Sequence, residues 1–214
     1  ASELNPDAYG VLALGVTILH VLGIFCTLGL YQGLARNLPR VDDRAGHFTA
    51  GLVLAVSVAS VVGVGLVVFS NPLAAVFVGG EFATVLALVG VGVPGMVLFK
   101  VSVGGFRGIE DAVGRVLLQN VVMRGAILVF VLAGLFLGYE AVGAAAGWTV
   151  GLFVTSLAAI TLLNRRTSLL APLSDVRRAT ATHAGPLLRF SVPLMGATVV
   201  WQLMQEMDQE GFLL

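Results

Sequence analysis

Apolar positions in this chain come in long runs divided by short polar connections. No charged residue lies between Asp7 and Arg36, and a helix crossing about 30 Å of hydrocarbon needs about 20 residues at 1.5 Å each. Tyr9 to Leu30 is therefore predicted as a first spanning helix. The uncharged stretch from Ala45 to Gly80 predicts a second from about Phe48 to Phe69, with a turn at Ser70-Asn71-Pro72. Phe82 to Phe106 is apolar apart from Lys100 and predicts a third, with Pro94 inside it. Membrane helices tolerate such a proline when neighbours re-satisfy the freed carbonyl. Val116 to Gly138 carries only Arg124, and Ala141 to Leu163 carries no charge. These are spans four and five, and Gly138-Tyr139-Glu140 between them allows only a tight hairpin. A polar segment, Asn164 to Arg189, precedes a sixth apolar run from Phe190 to about Met207.

Sidedness follows from the charges between the runs, because Lys and Arg in short loops stay on the cytoplasmic side. All 12 basic residues fall on alternate connections: Arg36, Arg40 and Arg44; Lys100, Arg107, Arg115 and Arg124; Arg165, Arg166, Arg177, Arg178 and Arg189. The remaining connections hold only acids, namely Glu3 and Asp7, Glu81, Glu140, and finally Glu206, Asp208 and Glu210. Five spans thus alternate, the first running from outside to inside.

Composition excludes a soluble domain. The chain is 57% hydrophobic and 11% charged, where soluble domains carry about 25% charged residues. Formal net charge is zero, so no nucleic-acid footprint appears and no nucleic-acid partner is expected. The single cysteine, Cys26, permits no internal disulfide and no multi-cysteine metal site. The polar, acidic start lacks the basic region of a cleavable signal peptide. Without an initial Met, the chain is expected to be processed or a fragment. Gly143, Gly147 and Gly151 make two consecutive small-xxx-small steps and predict a tight helix seam; Gly29 with Gly33 and Gly104 with Gly108 make one step each.

Ionisable groups inside a bilayer are costly, about 2.5 to 3.5 kcal/mol for a central Arg on insertion scales, which makes them functional candidates. Arg124 lies nine residues beyond Arg115, about 13 Å along a helix. Either it faces a water-filled cavity and holds an anionic group, or it snorkels to the inner interface. Lys100 and Arg107 pose the same choice near the inner end of span three. Arg36, Arg40 and Arg44 recur every four residues, though Pro39 argues for a break, and they form a substrate-binding group or a rim for anionic lipid headgroups. His20, near the centre of span one, is a proton carrier or is hydrogen-bonded to a neighbouring helix. Asp208 binds a coupling cation or is solvated. Asp42-Asp43 is a solvated turn, or an acidic pair of the kind that holds Mg²⁺ in glycan-phosphate transferases. No catalytic constellation, metal motif or cofactor box is present, so neither an enzyme nor a cofactor is expected.

Four segments carry a family resemblance. Asn5-Pro6-Asp7-Ala8-Tyr9-Gly10-Val11-Leu12-Ala13-Leu14 and Leu28-Gly29-Leu30 with Gly33-Leu34-Ala35-Arg36 resemble the two ends of the second helix of Wzx-type polysaccharide and lipid-linked oligosaccharide flippases, in the multidrug/oligosaccharidyl-lipid/polysaccharide exporter superfamily. Gly105-Phe106-Arg107-Gly108-Ile109-Glu110 resembles the loop after that family's fourth helix. Leu188-Arg189-Phe190-Ser191-Val192-Pro193-Leu194 resembles the start of its seventh. At the far end Asp208 fits the family pattern and Gln209-Glu210 departs from it.

The resemblance implies an all-α, MATE-like polytopic bundle, partial here. Residues 1–185 would be a first bundle lacking its first helix, and 186–214 the start of a second. It implies an exporter in the cytoplasmic membrane that moves an oligosaccharide on polyprenyl phosphate or pyrophosphate, with membrane lipids and glycan synthesis and polymerisation proteins as partners. Arg124, Lys100, Arg107, Arg36 and Arg40 would bind substrate, with Asp208 and His20 as ion-coupling candidates. The chain alone is not expected to transport. The alternatives are a cation-coupled multidrug exporter, a membrane-embedded glycan-phosphate transferase and a structural membrane subunit.

Overall fold

The computed structural model describes residues 6–77, 82–137, 140–172 and 174–189, with Ser191, Pro193 and Gly196. Among them there is helix, turn and bend but no strand. The sixth apolar run, with Asp208, lies almost wholly outside the described residues.

The first run forms α1 (Pro6–Cys26), which stops before Leu30. Leu28 and Gly29 adopt left-handed backbone with φ of 49° and 71°, and the chain turns into a short second helix, α2 (Leu30–Asn37). Glycine takes that conformation at no steric cost, so Gly29 sets the break that the apolar pattern conceals. A 3₁₀ turn at Leu38–Arg40 follows, with Pro39 inside it. Arg36, Arg40 and Arg44 therefore sit on separate elements and share no helix face.

The second span is α3 (Arg44–Val68). Past it the structure corrects the predicted turn: Ser70–Phe77 is a helix, α4, after a single turn residue at Phe69. Pro72 falls in the first turn of α4, where a missing N–H costs nothing.

α5 (Phe82–Gly108) is the third span and runs straight through Pro94. Proline removes the donor for the Gly90 carbonyl, and that carbonyl faces Gly63 on α3 at a spacing that leaves no room for a side chain there. Two backbones meet, the arrangement that small residues give membrane helices. The predicted loop at Gly105–Glu110 begins later than expected, since helix persists to Gly108 and the turn is Ile109-Glu110, Glu110 having a φ of 59°.

The fourth span is composite: α6 (Ala112–Val116), a π-helical turn at Leu117–Val122, and α7 (Met123–Phe136). The fifth is α8 (Glu140–Thr167), and a further helix, α9, covers 176–189. Among the described residues five helices are thus long and apolar enough to cross a membrane. α5 is the most buried of them, packed by α1, α2, α3 and α8, whereas α7 has no buried residue and leans on α8.

The predicted glycine seam joins α7 and α8. A side chain on Gly147 would collide with the Phe130 carbonyl, one on Gly134 with the Gly143 carbonyl, and one on Gly151 would lie 3.0 Å from Ile127 Cα. Gly104 makes a second close approach, 2.8 Å from a built Cβ to the Tyr31 carbonyl on α2. Spacing alone did not separate that step from chance.

The arginine-bearing connections gather at one end of the bundle. Arg107 at the end of α5 donates to the Tyr31 hydroxyl at 2.9 Å and lies 5.1 Å from that ring's centroid. Arg166 at the end of α8 pairs with Asp111 at the start of α6. The backbone N–H of Ala171 donates to Thr49 Oγ1 at 2.9 Å, and His183 Nε2 lies 3.0 Å from Asp43 Oδ2. The geometry therefore puts these connections on one side, as the charge pattern required.

Candidate functional site

A cleft of about 620 Å³ opens among α1, α5, the fourth span and α8. Arg124 stands on its wall, with an accessible side chain and no ion-pair or hydrogen-bond partner among the described residues. His20 on α1 lies across from it. Its Nδ1 is 2.9 Å from the Val16 carbonyl, one turn back on the same helix rather than on a neighbour. A carbonyl only accepts, so Nδ1 carries the proton and Nε2 of the neutral ring is an acceptor. The His20 ring meets Trp148 of α8 edge-on, with centroids 6.5 Å apart. Phe99 of α5 completes the aromatic side.

The fourth span supplies the rest of the lining. Gln119 and Asn120 in the π turn join Met123 and Arg124, followed by Ile127, Leu128 and Val131. The wall is thus polar toward the arginine-bearing end and apolar farther from it. Gln119, Asn120, Trp148 and Phe99 escaped the sequence reading. An uncharged amide or aromatic inside an apolar run carries no positional signal until another helix is known to face it.

The other predicted cations lie elsewhere. Lys100 follows the cleft-lining Phe99, but its stem runs toward α1, with Cε 3.6 Å from where a Gly23 Cβ would stand. Arg107 is engaged with Tyr31 at the inner end. Arg36 and Arg40 are exposed at that same end. None of the four lines the cleft. Asp208 lies outside the described residues.

A second polar cluster sits on the arginine-bearing end. Asp43 caps α3 by accepting the Gly46 N–H at 2.8 Å and also holds His183 of α9. His47, one turn into α3, meets the His183 ring edge-on at 5.5 Å, and its buried Nε2 has no hydrogen-bond partner among the described residues. The Gly46 hydrogen bond, with His183 second, holds the Asp43 carboxyl below its usual range. Asp111 is held low in the same way, by the Gly114 N–H first and by Arg166. A carboxyl with a depressed folded pKa contributes stability above its unfolded value and loses it as pH falls through the folded one. Asp43→Ala is therefore expected to lower bundle stability by about 1 kcal/mol near neutrality, the usual worth of a cap. Thermal unfolding in detergent should show this gap closing as the medium is acidified below the carboxylate range. A gap independent of pH would deny the cap its role.

Fold and cleft together define a polytopic helical membrane protein with a cationic, partly polar cavity within its bundle. A family model described as "Polysaccharide biosynthesis protein" matches residues 1–213. The chain belongs to that family, and is a multi-pass membrane protein of polysaccharide biosynthesis. No curated protein and no solved structure matches it.

Proposed function

We propose that the protein moves a glycan carried on polyprenyl phosphate or pyrophosphate from the inner to the outer leaflet of the cytoplasmic membrane, for polysaccharide or glycoprotein synthesis. The observation that carries this reading is Arg124, a permanent cation about 13 Å along the span from Arg115, on a cleft wall and without a partner among the described residues. An unpaired guanidinium at that depth is costly. A phosphate offsets the cost because its oxygens accept the paired N–H donors of the guanidinium. The apolar outer wall at Ile127, Leu128 and Val131 then leaves room for a lipid-linked substrate whose tail stays among the helices.

In this reading Lys100, Arg107, Arg36 and Arg40 attract the headgroup from the inner leaflet, whose anionic surface concentrates around such cations. His20 and Asp208 are the ion-coupling candidates. In the same reading residues 1–185 belong to one bundle and 186–214 begin another, in a MATE-like plan of two parallel repeats. Proteins that synthesise and polymerise the glycan are the partners that supply and consume the cargo.

The competing classes fit less well. A cation-coupled multidrug exporter wants acid in its cavity, and none of the described cleft-lining residues is acidic. A glycan-phosphate transferase wants Asp42 and Asp43 free for Mg²⁺, but Asp43 is committed to the α3 cap and to His183.

Vesicles containing the complete protein and a polyprenyl-pyrophosphoryl glycan in the inner leaflet test the reading. The glycan is expected to become accessible to a lectin added outside, in a protein-dependent manner. Movement of a cationic dye with the glycan lipid left in place would replace this proposal with the drug-exporter one.

A further inference from the structure

Beside Arg124 the cleft holds a second polar feature. Gln119 and Asn120 both line it, and neither has a hydrogen-bond partner among the described residues. Two free amides inside a span are costly for a helix that serves only as a wall, because each carries donors and an acceptor that hydrocarbon cannot meet.

The backbone keeps them in line with the arginine. Residues 119, 123, 127 and 131 form one row and 120, 124 and 128 the next. In an α-helix a four-residue row drifts by about 40° per step. The π turn at Leu117–Val122 has more residues per turn, so the drift there has the opposite sense. The amides therefore stay on the cleft side, with Asn120 about 6 Å along the axis from Arg124.

Their chemistry differs from that of the arginine. A guanidinium only donates, which suits phosphate; an amide both donates and accepts. Phosphate would leave the amide carbonyls unpaired, and a cation would leave the amide N–H groups unpaired. A sugar hydroxyl or acetamido group satisfies both at once. Half-buried Trp148, lining the same cleft, offers apolar surface for the C–H face of a pyranose ring.

Resting on the flippase reading above, we propose that Gln119 and Asn120 are specificity-determining residues. They bind the hydroxyl and acetamido groups of the sugar next to the phosphate, while Arg124 holds the phosphate itself.

Two probes separate these roles: polyprenyl pyrophosphate alone, and the same lipid bearing one N-acetylglucosamine, each titrated against the complete protein in nanodiscs. The wild type is expected to bind the sugar-bearing lipid about tenfold more tightly or better, the yield of two neutral hydrogen bonds. Gln119→Leu with Asn120→Leu should erase that gain and leave the bare lipid unchanged. Arg124→Gln should weaken both lipids together. The exchanged pair, Gln119→Asn with Asn120→Gln, keeps both amides and should retain part of the gain, which guards against a folding defect in the leucine variant. A leucine pair that keeps the full sugar gain overturns the proposal, as does one that weakens both lipids equally or a wild type indifferent to the sugar. A wild type that binds neither lipid removes the flippase reading, and this proposal with it.

Discussion

Arg124→Gln in the complete protein is expected to abolish glycan export while leaving membrane insertion intact. Hydrogen bonds to a charged group are worth about 1.5–3 kcal/mol, so losing those to a phosphate weakens binding by roughly 10- to 100-fold. Insertion should improve slightly, because a neutral amide is cheaper than a guanidinium at that depth. Arg124→Lys separates charge from shape. It keeps the cation without the planar fork, so partial export is expected. Surface glycan and membrane-fraction protein, measured on the same cells, check both halves. Normal export from the glutamine variant would retire Arg124 as the phosphate-holding residue.

The other large effect is structural. Gly147 sits where α8 touches the backbone of α7, and a built side chain there meets the Phe130 carbonyl, its carbonyl carbon and Val131 Cα. Backbone cannot rotate out of the way as a flexible side chain can. Gly147→Leu should therefore push the two helices apart, at a cost of about 1–3 kcal/mol or more. Because α7 has no buried residue of its own, the glycine seam is most of what fixes it, and the cleft wall should move with it. Gly125 is the control: nothing lies within 4 Å of its built Cβ, so Gly125→Ala should be neutral or stabilising, since alanine is the better helix former. Melting temperatures of the two variants in detergent decide the matter. Equal losses would mean that the seam is not the point of attachment.

Much of this architecture was legible from the residues because the bilayer imposes simple rules. Apolar runs of the right length gave the five spans, and the alternation of basic with acidic connections gave the shared end of the arginine-bearing ones. The Gly143, Gly147 and Gly151 spacing gave the α7 and α8 contact, although not the identity of the partner helix. The depth of Arg124 singled it out, but a row of letters does not tell a cleft wall from a lipid face. What escaped depended on tertiary placement or fine backbone geometry. The break at Leu28 and Gly29 hides inside an apolar run. α4 reads as a turn in the sequence because Pro72 weighs as a breaker unless it falls in a first helical turn. The π turn has no sequence signature, and the amides it carries look unremarkable until α1 and α8 stand opposite. Asp43 and His183 are 140 residues apart, a distance no local pattern spans.

Those last two residues also have a mechanical meaning. Ala171 is tied to Thr49 and His183 to Asp43, so the strap that leaves α8 is stitched to the foot of α3 at both ends. A displacement of α9 is thereby passed to α3, a helix that borders α5.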